Sequence, residues 1–132
     1  MKDLLQKAKE AMTQSYSPYS GVKVGAALLT KNGKIFLGTN VENAAFGPSC
    51  CAERSAIFSA VSQGEREFSA IAIVGGKDGK IADFFPPCGV CRQVMAEFCG
   101  ADFPIYLENN RGEVKSLTLG ELLPHAFTKE KF

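Results

Sequence analysis

This chain lacks any marked surplus of positive or negative charge: 15 lysines and arginines stand against 14 aspartates and glutamates. No block of like charges interrupts that balance, so no surface tracks phosphates and nucleic acid is not an expected partner. Long apolar runs are missing too. No stretch approaches membrane-spanning length, and Met1-Lys2-Asp3-Leu4-Leu5-Gln6-Lys7 lacks the apolar core of a secretory leader. A soluble, cytoplasmic protein with no membrane partner is expected. Internal repeats and low-complexity segments are absent. Histidine occurs once, as His125 behind Pro124, which excludes a metal site built from imidazoles.

What is present fits one packed globule. The chain has 132 residues and is 45% hydrophobic, enough for a single domain over 1–132 with one core. Five cysteines are an odd number, and three of them fall in two short stretches. In a reducing compartment, metal ligation explains that usage better than disulfides.

Leu4, Leu5, Ala8, Ala11 and Met12 recur at helical spacing, predicting a first helix from residue 3 to about 14. Tyr16-Ser17-Pro18-Tyr19-Ser20-Gly21 breaks it. Val22 to Thr30 reads as a strand, Lys31-Asn32-Gly33-Lys34 as a hairpin turn, and Ile35 to Thr39 as the returning strand. A loop through Asn40 to Pro48 enters a helix that opens near Cys51 and stops at Gly64. Ser69 to Gly75 is an apolar run suited to a strand buried on both faces. That implies helices on either side of a sheet.

Lys77 to Pro87 reads as a loop and Cys88 to Cys99 as a helix stopped by Gly100. The strands expected at Pro104 to Glu108 and Glu113 to Leu117 are joined by only Asn109-Asn110-Arg111-Gly112. So short a link cannot make a parallel crossover, so the pair should be antiparallel. Thr118 with Glu121 signals a capped short helix that ends at Pro124.

The chemistry gathers at Ser49-Cys50-Cys51-Ala52-Glu53-Arg54 and Pro86-Pro87-Cys88-Gly89-Val90-Cys91-Arg92. Cys88 and Cys91 are three apart, which puts both thiolates on one helix face, and Cys51 adds a third ligand to one zinc ion per chain. The fourth position stays open, as in catalytic sites. Cys99 lies eight residues past Cys91, roughly 12 Å along a helix at about 1.5 Å per residue, and cannot close the site. Cys50 would ligate beside Cys51 only with strain. Both are therefore read as small buried or half-buried thiols.

Glu53, two residues past a ligand, can point into the same cleft without ligating and can carry a proton. Arg54 is expected to lie against the thiolates and, with two helix N-termini, to offset their charge.

Cys51-Ala52-Glu53-Arg54 with Pro87-Cys88-Gly89-Val90-Cys91-Arg92-Gln93 resembles the zinc cytidine deaminases, in the short three-cysteine form that acts on free nucleosides. Further matches are Tyr16-Ser17-Pro18-Tyr19-Ser20, Val24-Gly25-Ala26-Ala27-Leu28, Asn40-Val41-Glu42-Asn43-Ala44, and Glu121-Leu122-Leu123-Pro124 followed by Phe127. The resemblance implies an α/β fold, a three-layer α/β/α sandwich around a five-stranded mixed sheet. It implies a homotetramer whose sites are completed by neighbouring subunits. The implied activity is hydrolytic deamination of cytidine and deoxycytidine in pyrimidine salvage, with the pyrimidine nucleoside as partner and Zn2+ as cofactor.

By the same resemblance Asn40 and Glu42 bind the ribose hydroxyls, the backbone N–H of Ala52 meets the pyrimidine carbonyl, and Phe127 covers a neighbour's site. Val22 departs from the pattern, since the family usually places a phenylalanine there against the base. Phe46 is expected to compensate from the opposite wall. Three rival readings remain: a related substrate such as an aminonucleoside antibiotic, a base within a polynucleotide, and a zinc-stabilised module without catalysis. The short hairpin at Asn109 speaks against the polynucleotide, because the resembling nucleic-acid deaminases run those strands parallel.

Overall fold

The computed structural model describes every residue from Met1 to Phe132. Its elements run α1 (Lys2–Met12), β1 (Val22–Thr30), β2 (Ile35–Thr39), α2 (Ala52–Ser62), β3 (Phe68–Lys77), α3 (Gly89–Phe98), β4 (Pro104–Glu108), β5 (Val114–Thr118) and α4 (Leu119–Leu122), with a 3-10 turn at Lys129–Lys131. The five strands form one sheet in the order β2-β1-β3-β4-β5. Only β3 and β4 pair in parallel, and α3 is the crossover between them. β4 and β5 are antiparallel, as the four-residue link requires.

Alternation along the strands divides the core into two layers. Ala27, Ala70, Ala72 and Val74 face Leu4, Leu5, Ala8 and Met12 of α1. Ala26, Leu28, Ile71, Ile73, Ile105 and Leu107 face α2 and α3 through Ala52, Ala56, Ile57, Ala60 and Met95. β3 is buried on both faces from Ala70 to Gly76. The expected sandwich of helices on either side of the sheet is the observed one. No helix is long and apolar enough to cross a membrane.

Boundaries moved where side chains competed for the backbone. α1 ends at Met12 rather than near 14, because the Thr13 hydroxyl donates to the Glu10 carbonyl at 2.7 Å and Gln14 N–H turns back to Ala11 O at 2.9 Å. β3 runs beyond the expected Ser69 to Gly75 because β1 pairs with it from Val22↔Lys77 to Thr30↔Phe68. Cys51 and Cys88 are helix caps, each one residue before its helix. The capping box of Thr118 and Glu121 is present.

Two glycines let the layers approach. A Cβ on Gly25 would stand 2.0 Å from Ala8 O in α1, and one on Gly38 would stand 2.3 Å from Ala52 O and 2.4 Å from Ala56 N in α2. Gly38 thus sets how closely the helix that follows Cys51 and carries Glu53 lies on β2. Gly38→Ala is expected to destabilise the fold by about 3 kcal/mol, the upper end for overpacking, as read from urea denaturation. An unchanged midpoint would contradict that contact.

Candidate active site

A cleft of about 470 Å³ opens over the caps of α2 and α3, within the usual range for small-molecule sites. Its lining includes Asn40, Glu42, Cys51, Glu53, Arg54 and Cys88. Two sequence stretches 37 residues apart meet there because α2 and α3 both lie on one face of the sheet.

The Sγ atoms of Cys51 and Cys88 are 3.6 Å apart, and those of Cys88 and Cys91 are 3.4 Å apart. The three sulfurs all lie within 4.8 Å of one another, and Cys50 and Cys99 stand outside the group. A tetrahedral zinc with Zn–S bonds of about 2.3 Å spaces its sulfurs by roughly 3.8 Å, so the ion fits with shifts of a few tenths of an ångström. Three soft donors without a fourth protein ligand match an open zinc site.

Arg54 Nη2 donates to Cys51 Sγ at 3.4 Å, while its Nε is buried without an acceptor. The neighbouring Cys91 thiol, with Arg54 and Cys88, holds the Cys51 thiol well below the ordinary thiol range. Cys91, beside Cys51 and buried, is pushed well above it. Zinc binds thiolates, so taking up the ion releases the thiol protons. Cys99 is pushed up to about 12 by burial, which makes it inert.

Glu53 is the one acid buried in this cleft, 3% exposed. Burial pushes its carboxyl up to about 7, and the charge on Cys51 adds to the rise against hydrogen bonds from its own backbone and Cys91. A raised carboxyl contributes stability that is complete below the unfolded value of 4.5 and is lost as pH rises through 7. Glu53→Gln removes that loss. Metal-free Glu53→Gln is therefore expected to gain about 3 kcal/mol on the metal-free wild type between pH 4 and pH 8, measured by urea denaturation at both. A constant difference between the two proteins would contradict the burial.

Asn40 and Glu42 both reach the cleft but are partly committed to the backbone. Asn40 Oδ1 accepts from Val24 N at 2.8 Å and from the Ser15 hydroxyl, and Nδ2 donates to Val22 O at 2.8 Å. One amide hydrogen is left, so Asn40 can donate to a ligand but not accept. Glu42 Oε1 accepts from Tyr19 N and Ser20 N at 3.0 Å each, and Oε2 accepts from the Ser20 hydroxyl. These bonds, Ser20 first, lower the Glu42 carboxyl below its ordinary value. They also explain the Tyr16 to Ser20 motif, which is strapped to the 40–42 segment through Tyr16 N–H to Asn40 O and Glu42 N–H to Tyr16 O.

Ala52 is the first residue of α2, so its N–H has no intrahelical acceptor. Phe127 is 61% exposed, lies outside the cleft, and stacks edge-on with Phe132 at 5.8 Å. Phe46 lines the cleft but is 79% exposed.

Two further residues shape the site. Phe85 lines the cleft from the loop before Cys88; the signal was the Phe84-Phe85 pair directly before Pro86-Pro87-Cys88. Arg92 joins that loop to the end of the chain, with Nε donating to Pro87 O and Nη1 to Leu122 O, both at 2.7 Å. Its place one residue after Cys91 was the only hint.

The family model for the cytidine and deoxycytidylate deaminase zinc-binding region matches residues 1–107. A cytidine deaminase from Sporosarcina psychrophila is 48% identical over 127 residues, 96% of this chain and 90% of that protein. One from Halalkalibacterium halodurans is 49% identical over 127 residues, covering 96% and 93%. The crystal structure of cytidine deaminase from Burkholderia pseudomallei superposes with a TM-score of 0.88 at 48% identity, covering 96% of this chain and 98% of the other. Identity of this order over nearly whole chains, on the same fold and with the same zinc-binding region, places this protein in the cytidine and deoxycytidylate deaminase family.

Proposed function

We propose that the chain deaminates cytidine and deoxycytidine hydrolytically to uridine and deoxyuridine with release of ammonia. One observation carries the reading: a three-thiol cluster able to hold zinc and a buried carboxylate, two residues from the ligand Cys51, open onto one cleft that Asn40 and Glu42 also line.

Cys51, Cys88 and Cys91 hold the ion, and Arg54 offsets their charge. When bound, the ion supplies Lewis acidity that brings the pKa of a water toward neutrality. Glu53 takes a proton from the attacking water and places it on N3 of the base. The same carboxylate then takes the second proton from the new C4 hydroxyl and delivers it to the departing amine; the C4–N bond breaks as the C4 carbonyl forms, so that cytidine and water become uridine and ammonia. The Ala52 N–H receives the C2 carbonyl. The remaining Asn40 hydrogen donates to a ribose oxygen, and Glu42 Oε2 accepts from a ribose hydroxyl. All of this rests within one domain over 1–132.

The finer reading is a cytoplasmic homotetramer working in pyrimidine salvage. The outward position of Phe127 supports the assembly alone, since a ring outside its own cleft is free to cover a neighbour's site. The antiparallel β4–β5 pair supports a free nucleoside over a polynucleotide.

A substrate panel tests the reading. Zinc-loaded protein is expected to deplete the ultraviolet absorbance of cytidine and deoxycytidine and to leave single-stranded oligonucleotide cytosines intact. Turnover of oligonucleotide alone would overturn it.

A further inference from the structure

We infer that Phe85 is the aromatic wall against which the base lies, and that Phe85 and Val22 act as a coupled pair in determining base affinity. The inference rests on the cytidine reading above and names a specificity-determining residue for it.

Val22 and Val24 are two apart on β1 and therefore share a face of the sheet. Gly75 on β3 is the partner of Val24 and brings no side chain to that face. A Cβ on Gly75 would stand 3.0 Å from Phe85 Cγ and 3.1 Å from Val24 Cγ2. The Phe85 ring thus lies over the gap Gly75 leaves, beside Val24, and Val22 lines the same cleft.

The ring is half-buried. Part of it packs on the core under α2 and α3, and part lines the cleft with Glu53 and Cys88. A ring serving the core alone would leave nothing on the cleft. Phe85 also lies three residues before Cys88, so its position is tied to the thiol cluster. The other aromatic in this cleft, Phe46, is 79% exposed. Immobilising so loose a ring would consume part of what stacking returns, whereas Phe85 is already in place.

Val22, the smaller neighbour on the same face, leaves the floor beside that ring open. A phenylalanine at 22 would compete with Phe85 for the space, so the two positions are expected to be non-additive.

The experiment is steady-state deamination of cytidine by zinc-loaded wild type, Phe85→Leu, Phe85→Tyr, Val22→Phe and the double variant Val22→Phe/Phe85→Leu. Zinc content and thermal midpoint are recorded for each. Phe85→Leu is expected to raise KM about tenfold, a typical loss for base–aromatic stacking, with kcat within about twofold because the contact is the same in substrate and transition state. Phe85→Tyr keeps the ring and is expected to hold KM within about twofold. Val22→Phe alone is expected to raise KM about fivefold by crowding, and the double variant to recover to within about threefold of wild type.

A Phe85→Leu enzyme with wild-type KM overturns the inference while the cytidine reading stands. So does a Val22→Phe effect that is unchanged when Phe85 is leucine. A zinc-loaded wild type that turns over no cytidine overturns the reading beneath it, and the inference falls with that reading.

Discussion

Glu53→Gln is expected to lose about four orders of magnitude in kcat on cytidine, the top of the range for one general acid–base group. The carboxylate serves more than one proton transfer, so its loss cannot be made up by a neighbour. No second acid is buried in the cleft: Glu42 is less buried and already accepts from Tyr19 N, Ser20 N and the Ser20 hydroxyl. Glutamine keeps the shape of the side chain and cannot take up a proton. The metal content should therefore remain one ion per chain and the fold should not weaken. A variant retaining a tenth or more of wild-type kcat would move the proton carrier elsewhere.

Cys88→Ala is expected to remove both activity and most of the zinc. Cys88 is exposed, and its sulfur accepts from Cys91 N at only 3.5 Å, so the metal-free fold should lose little by its removal. Its share in the site is another matter. Two thiolates hold zinc far less tightly than three, and an expected thousandfold weakening corresponds to about 4 kcal/mol of binding free energy. Wild-type protein loaded at a thousand times its dissociation constant gains about the same in stability from the ion. The prediction is a thermal midpoint that zinc raises strongly in wild type and scarcely at all in Cys88→Ala. Equal zinc shifts in the two proteins would remove Cys88 from the ligand set.

Much of this was legible in the sequence because the signals were local. Asn32-Gly33 fixes the first hairpin through a turn where Gly33 sits at φ +88. The four-residue link after Glu108 forces β4 and β5 antiparallel whatever the rest of the chain does. Spacing alone brought Cys88 to Cys91, and the distance along α3 excluded Cys99. The order of strands in the sheet is a property of packing, and no local pattern carried it; the resemblance supplied only the five-stranded architecture.

The limits lie where function depends on contacts across the fold. Asn40 spends its carbonyl on Val24 and Ser15, partners 16 and 25 residues away, so its donor-only capacity could not be seen along the chain. Phe85 sits in a stretch without periodicity, and only the register of β1 on β3 shows that Gly75 makes room for it. Phe46, expected to support the base, lines the cleft and is the more exposed of its two rings.

The most direct measurement is ammonia released from cytidine by zinc-loaded wild type beside Glu53→Gln, with metal counted in both. The account predicts one mole of ammonia per mole of uridine from the wild type, one zinc per chain in each protein, and no release above background from the variant. Equal release from both, or none from a fully zinc-loaded wild type, would contradict it.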